Sequence, residues 1–261
     1  MKLSSANINV MVNACRKASK ILIRDFGEIE NLQVSVKGPG DFVTVTDKKV
    51  EKILIDELTK ARPNYSILSE ETGKIINDEE FKWVIDPIDG TANFLHGIPH
   101  FAISVGLEKN GEIICGIIYD PIKDEMFTAE KGNGSYLNNQ RMRVSGRKKL
   151  KNCVIFTGGP RPTAKDKDLS LEEYKNFSIK LSTPIRKMGS AALDMAYVAA
   201  GRCDGFWQRN LNYWDIAAGI ILVKEAGGFI TDFKGNNEYL ENKTILATNS
   251  KINNEMIEIL K

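Results

Sequence analysis

The stretch Trp83-Val84-Ile85-Asp86-Pro87-Ile88-Asp89-Gly90-Thr91-Ala92-Asn93-Phe94 runs an apolar strand straight into two carboxylates and a Gly-Thr turn. Proline cannot donate a ladder hydrogen bond, so Pro87 predicts a strand that stops at Asp86 and aims that carboxylate out of the end of a sheet. Asp89 follows on the same turn. Two hard anionic oxygen ligands so close together suit Mg2+, which takes oxygens in near-octahedral geometry and leaves room for a substrate phosphate. Gly90 and Thr91 are expected to open a short helix, whose free N–H groups and positive dipole end favour a bound phosphate. Taken alone, the D-P-x-D-G-T segment is equally compatible with an ordinary turn carrying Asp and Gly at their usual positions.

A chain of 261 residues can bury a large core, as one unit or as two tightly packed halves. Its 36 Lys and Arg against 34 Asp and Glu give no electrostatic case for nucleic acid or a membrane as the main partner, which points to a small substrate. Cys15, Cys115, Cys153 and Cys203 are scattered, with only His96 and His100 to help them. Neither a zinc site nor a disulfide scaffold is indicated, and reduced thiols in a cytoplasmic protein fit best. The N-terminus lacks the basic-then-apolar pattern of a signal peptide, and no apolar run approaches the roughly 20 residues of a membrane span. A soluble, unprocessed chain is expected.

Apolar residues at helical spacing predict a helix over 4–26, capped by Ser4 or Ser5 and closed by Gly27. An extended segment begins at Val34, a loop follows at 37–41, and Thr46-Asp47 is expected to cap the next helix, which ends at Arg62-Pro63. A short strand over 65–68 then delivers Ser69-Glu70-Glu71-Thr72-Gly73. After the central stretch, 101–107 and 112–119 read as strands joined by the hairpin signal Lys109-Asn110-Gly111. Further strand over 124–129 and the turn at 132–135 lead into the basic run at 141–151, read as a solvated boundary rather than a surface for an acidic partner. The expected division is 1–145 and 146–261, packed as one unit. The second half alternates strand (153–157), helix (171–181), strand (184–188), helix (190–200) and strand (204–207), which argues for an α/β layer arrangement. Trp214-Asp215 opens a helix that stops at Gly227-Gly228, and two strands and a short helix finish the chain. Trp83, Phe94, Phe101 and Phe206 are expected in the core rather than as a substrate platform.

W-V-I-D-P-I-D-G-T-A-N-F, W-D-I-A-A-G-I-I-L-V-K-E-A-G-G and the S-E-E after a strand resemble the inositol monophosphatase family in residues, order and spacing over essentially the whole chain. The resemblance implies a five-layer α-β-α-β-α sandwich, two or three Mg2+ ions, sensitivity to lithium and a homodimer. It implies that Glu70, Asp86 and the Ile88 carbonyl hold one Mg2+, that Asp86, Asp89 and Asp215 hold a second, and that a third, weaker ion lies near Glu70. Thr91 and Asp47 resemble the family's hydroxyl–carboxylate pair, in which Asp47 accepts from Thr91 and Thr91 orients the attacking water, with Glu70 helping to accept the proton. Read singly, Asp47 is also a credible helix cap, Glu70 a loop acid and Asp215 a complement to a helix dipole. Phosphate-monoester hydrolysis is very slow uncatalysed, and a metal pair sharing Asp86 meets its two needs, an activated water and a stabilised leaving oxygen.

On the substrate side, the resemblance implies contacts from Asp89, Gly90, Thr91, Asp215 and the backbone of Ala191, and it sets Gln208 where the inositol phosphatases carry a glutamate that binds two hydroxyls. Gln keeps one acceptor and one donor but loses the charge-assisted acceptor. Arg186 and Arg209 are candidates for a second phosphate or a carboxylate, and Lys37 resembles a loop lysine near a metal and the nucleophilic water. His96 and His100 are assigned a structural or surface role. The leading expectation is a Mg2+-dependent phosphatase of small phosphorylated polyols, with myo-inositol 1-phosphate first. Fructose 1,6-bisphosphate, histidinol phosphate and 3′-phosphoadenosine 5′-phosphate are the rival substrates. A regulatory protein that contacts the transcription machinery is the reading from a different class, motivated by the basic run.

Overall fold

The computed structural model describes residues 5–29, 34–38, 41–77, 80–159, 167–181 and 184–260, with the backbone alone over 34–38, 41–44 and 180–181. Ser4, Pro39, Gly40 and the side chain of Lys37 lie outside the described residues. Helix α1 (Ala6–Phe26) begins where the Ser5 hydroxyl accepts from the Ile8 amide at 3.3 Å, satisfying a donor that the first turn leaves without a carbonyl. Strands β1 (Val34–Gly38) and β2 (Asp41–Thr44) pair antiparallel, and the chain passes directly into α2 (Val45–Ala61). Asp47 therefore lies inside the first turn of α2 and not at the cap that the sequence suggests. The Thr46 hydroxyl beside it is spent on Asp25 at 2.8 Å, which anchors the start of α2 to the end of α1.

Strands β3 (Ser66–Ser69), β4 (Gly73–Ile75) and β5 (Phe81–Asp89) precede the single turn of α3 (Thr91–Leu95). An antiparallel run follows: β6 (Ala102–Lys109), β7 (Glu112–Asp120), β8 (Glu125–Glu130), β9 (Gly134–Leu137) and β10 (Gln140–Arg141). Together these strands form an eight-stranded sheet in the order β10-β9-β8-β7-β6-β5-β3-β4, in which β3 and β5 are the parallel pair. Asn110 (φ 50°) and Gly111 (φ 82°) both take the left-handed conformation between β6 and β7, the tight turn that Asn-Gly encodes. Strand β5 does not stop at Asp86. It continues through Pro87 to Asp89, and its pairing with β6 slips between Asp86 and Asp89. A bulge leaves one residue outside the ladder, so the missing proline donor breaks no sheet bond there.

The second half contains β11 (Ile155–Thr157), α4 (Lys167–Leu181), β12 (Ile185–Arg186), α5 (Ala191–Ala199), β13 (Gly205–Arg209), α6 (Tyr213–Glu225), β14 (Phe229–Thr231), β15 (Thr244–Thr248) and α7 (Asn253–Leu260). Its five strands order as β12-β11-β13-β15-β14, parallel on both sides of β11 and antiparallel beyond. Helices α1 and α2 cover the outer face of the first sheet, with Met11, Leu22 and Leu54 packed among Trp83, Ile85 and Phe101. Helices α5 and α6 fill the space between the sheets, where Leu193, Ala217 and Ile221 meet Val84 and Ile118 on one side and Phe206 and Ala247 on the other. Helices α4 and α7 close the far side through Phe177 and Met256 against Trp207 and Leu246. This is the five-layer α-β-α-β-α sandwich, and Trp83, Phe94, Phe101 and Phe206 are fully buried in it.

The basic run crosses from one sheet to the other. Asp204, fully buried, accepts from the Ser145 hydroxyl, from Arg147 Nε at 2.7 Å and from the Val154 amide at 2.8 Å. Arg147 is thereby pinned, while Lys148, Lys149 and Lys151 stay exposed. No described helix is long and apolar enough to cross a membrane.

Helix α6 lies unusually close to the first sheet. Gly106 and Gly116 pair across the β6–β7 ladder, and a Cβ at Gly116 would stand 2.5 Å from Ile221 Cγ2 and 2.8 Å from the Ala218 carbonyl. At Gly106 a Cβ would meet that of Ala217 at 3.2 Å. The two bare backbones let Ala217 and Ala218 sit down on the sheet. Gly116→Ala is therefore expected to destabilise the fold by about 1–3 kcal/mol through overpacking, read as a lower urea midpoint. An unchanged midpoint would show that the helix can lift off freely.

Candidate active site

Parallel pairing sets Ser69 opposite Ile85, and the Glu70 amide donates to the Ile85 carbonyl at 3.3 Å. Glu70 thus emerges beside Asp86. Helix α2, packed on β5, brings Asp47 to the same place. Asp86 is 1% exposed, and burial pushes its carboxyl well above the usual range, with the charges of Glu70, Asp89, Asp215 and Asp47 acting in the same direction. Acids from α2, the end of β3, β5 and α6 therefore converge on one buried carboxyl. Its Oδ1 accepts from the Ile88 amide at 3.0 Å across Pro87, which holds the bulge in shape.

Asp89 faces the second half of the chain. Its Oδ2 accepts from the Ser190 hydroxyl at 2.5 Å and from the Ala192 amide at 2.7 Å. Ser190 is also the cap of α5, its Oγ accepting from the Leu193 amide at 3.3 Å. Two left-handed glycines bring these segments together: Gly90 has φ 95° and Gly189 φ 89°, and a Cβ on Gly90 would lie 3.1 Å from the His100 carbonyl and 3.3 Å from that of Gly189. Only glycine fits such a turn without strain. The Asn93 side-chain amide spans both, donating to the His100 carbonyl at 2.7 Å and the Met188 carbonyl at 2.8 Å. Asp215 lies in the first turn of α6, where its Oδ2 accepts from the Asn212 amide at 2.7 Å.

The Thr91 hydroxyl donates to the Ile88 carbonyl at 2.8 Å. A hydroxyl has one proton to give, so the donation to Asp47 predicted from the sequence competes with this bond. Ala191 is the first, nearly buried residue of α5. Gln208 lies against the bare backbone of Gly158, where a Cβ would fall 2.2 Å from its Oε1, and it lines a polar recess with Thr157, Glu173 and Arg209. Arg209 is bound to the buried Glu173 at 2.5 Å and stacks over Phe233 at 4.9 Å, so its guanidinium is already engaged. Arg186 is exposed and donates to the Ile185 carbonyl at 3.2 Å. His96 is exposed. His100 is buried edge-on to Tyr197, and burial lowers its pKa to about 4, which leaves it neutral near pH 7.

Ser190 and Asn93 are the anchors that the sequence does not announce. A serine ahead of an apolar run reads as a helix cap, but its second bond, to Asp89, joins residues far apart in the chain. Among the described residues no three His, Cys, Asp or Glu side chains close into a ready-made cation cage. Mg2+ seldom needs one, since it keeps several waters and takes one or two carboxylates together with substrate phosphate. Hard oxygen donors crowded around a buried, proton-hungry Asp86 fit such an ion.

A model of the inositol monophosphatase family matches residues 5–260. The inositol-1-monophosphatase of Mesorhizobium japonicum is 49% identical over 258 residues, covering 98% of this chain and 97% of that one. The Nus factor SuhB of Pseudomonas aeruginosa is 41% identical over 251 residues, covering 94% of this chain and 92% of that one. Among solved structures, the extragenic suppressor protein suhB of Bartonella henselae superposes with a TM-score of 0.95 at 52% identity, covering 98% of this chain and 99% of that one.

The crowding has a measurable consequence in the metal-free protein. Asp86 has a folded-state pKa above the ordinary 3.8, so folding takes up a proton on it. The stability this contributes is complete below about pH 4 and is lost as the pH rises through the raised value. In EDTA at about pH 8, Asp86→Asn is therefore expected to melt above the wild type, with the gap closing towards acid. A variant that melts below the wild type at about pH 8 would overturn this reading.

Proposed function

The chain belongs to the inositol monophosphatase family, and on that premise we propose that it is a Mg2+-dependent phosphatase of small phosphorylated polyols, with myo-inositol 1-phosphate as the leading substrate. The observation that carries the proposal is the convergence of Asp47, Glu70, Asp89 and Asp215 on the buried Asp86 beside the Gly90-Thr91 turn. In this reading Glu70, Asp86, Asp89, Asp215 and the Ile88 carbonyl hold two or three Mg2+ ions. Bound there, the ions supply charge neutralisation for the phosphate and acidify a water.

The chain's own groups do the rest. In this reading Thr91 turns its hydroxyl proton from the Ile88 carbonyl to Asp47 and uses its oxygen to accept from the attacking water and fix its approach, while Glu70 receives the proton. Asp89, Gly90, Thr91 and Asp215 surround the phosphate end of the substrate. The Ala191 backbone and Gln208 face the polyol, and the Gln208 amide offers both a donor and an acceptor to vicinal hydroxyls. Because Arg209 is tied to Glu173, Arg186 is the better candidate for a second anionic group. Support for the substrate comes from the name of the Mesorhizobium relative.

A second reading, a partner in the transcription machinery, draws on the Nus factor name of the Pseudomonas relative and on the exposed Lys148, Lys149 and Lys151. The two are separable, since protein capture that survives Asp86→Asn does not depend on hydrolysis. A homodimer is part of the proposal, and light scattering checks it.

Phosphate release from myo-inositol 1-phosphate, fructose 1,6-bisphosphate, histidinol phosphate and 3′-phosphoadenosine 5′-phosphate, each with Mg2+, EDTA and added Li+, tests the reading. The expected result is that inositol phosphate leads, that EDTA abolishes turnover, that Li+ inhibits and that Asp86→Asn lowers kcat by about a hundredfold or more. Gln208→Glu is expected to raise kcat/KM for inositol phosphate about fivefold, equivalent to about 1 kcal/mol of hydrogen-bond strength. Turnover that is indifferent to both EDTA and Asp86→Asn would sink the proposal.

A further inference from the structure

Glu51 stands one helical turn beyond Asp47 on α2 and is 2% exposed. Both of its carboxylate oxygens are used on a single loop. Oε2 accepts from the Ser69 hydroxyl and from the Glu71 amide at 2.9 Å, and Oε1 accepts from the Thr72 hydroxyl. The residues on either side of Glu70 are therefore tied to one buried group, while the Glu70 amide is tied to β5 through the Ile85 carbonyl at 3.3 Å. Just beyond, Gly73 (φ 79°) turns the chain into β4.

We propose that Glu51 is the positioning residue for Glu70: it fixes the 69–72 loop before any cation arrives and couples that loop to the helix that carries Asp47. A glutamate on a free loop loses rotamer and backbone freedom when it becomes a ligand, and a loop already ordered has less left to lose. The chemistry also explains why the anchor is a carboxylate. Two hydroxyls and one amide all donate into it, and an ionised carboxylate is the side chain that only accepts. A glutamine at 51 keeps the shape, but its amide group must turn one hydroxyl around to act as acceptor. Groups that orient a ligand from behind typically alter metal affinity by about 10–100-fold when removed. The cation part of this inference rests on the phosphatase reading above, whereas the anchoring of the loop does not.

The test uses the full chain with Glu51→Ala and Glu51→Gln, and Asp56→Asn on the exposed side of the same helix as a control. Mg2+ is titrated calorimetrically into metal-free protein, amide exchange at Glu71 and Thr72 is followed in EDTA, and phosphate release is measured against Mg2+ concentration. Glu51→Ala is expected to weaken Mg2+ binding by about 10–100-fold, to speed exchange at Glu71 and to shift the Mg2+ requirement upward, while kcat at saturating Mg2+ recovers most of its value. Glu51→Gln should fall between it and the wild type, and Asp56→Asn should match the wild type. Should Glu51→Ala fail to fold, Glu51→Gln and Thr72→Val carry the same comparison. Wild-type Mg2+ affinity and wild-type exchange in folded Glu51 variants would overturn the proposal. If the wild type neither binds Mg2+ nor cleaves any ester, the phosphatase reading fails, and exchange at Glu71 alone decides the anchoring role.

Discussion

Like charges packed around a buried carboxyl repel, and the centre of this fold is built to hold them in place. Asp86 is kept by the Ile88 amide, Asp89 by Ser190 and the Ala192 amide, and Asp215 by the Asn212 amide. Hydrogen bonds from amides and hydroxyls favour the ionised form of a carboxylate, against the burial that disfavours it. The two influences oppose each other in a cluster of acids that the fold holds in place.

The bonds of Asp89 also fasten the first sheet to helix α5 between the sheets. Asp89 leaves β5 and ends on the cap of α5, and Asn93 reaches from α3 to the turn before α5. Apolar packing around α5 and α6 supplies most of the buried surface between the sheets, but packing alone tolerates sliding. Directional bonds to Asp89 and Asn93 do not, and the Gly90 and Gly189 turns allow those bonds to form. The acidic cluster therefore sits beside the bonds that join the end of β5 and α3 to the start of α5.

Much of this was legible in the order of residues. Helical periodicity found α1 and α2, Gly227-Gly228 marked the end of α6, Asn-Gly marked the β6–β7 hairpin, and the paired aspartates around Pro87 fall where acids from four elements converge. The expectations that moved did so for reasons outside any local window. Pro87 survives within β5 because a bulge absorbs it, Asp47 falls inside α2 because Thr46 is drawn to Asp25, and Arg209 is engaged by Glu173 from a distant helix. Ser190, Asn93 and Glu51 acquire their roles from partners far along the chain, and no spacing rule reports such pairs.

The close seat of α6 on Gly106 and Gly116 reaches further than local packing. Asp215 is carried at the start of that helix, so the gap between helix and sheet acts as a gauge that sets how deep the carboxylate stands relative to Asp86 on the neighbouring strand. A side chain introduced at either glycine would work as a shim beneath a rigid rod and shift a distant charge without touching it. Changes at Gly106, Gly116, Ala217 and Ala218 would then be tolerated in compensating combinations far more readily than one at a time.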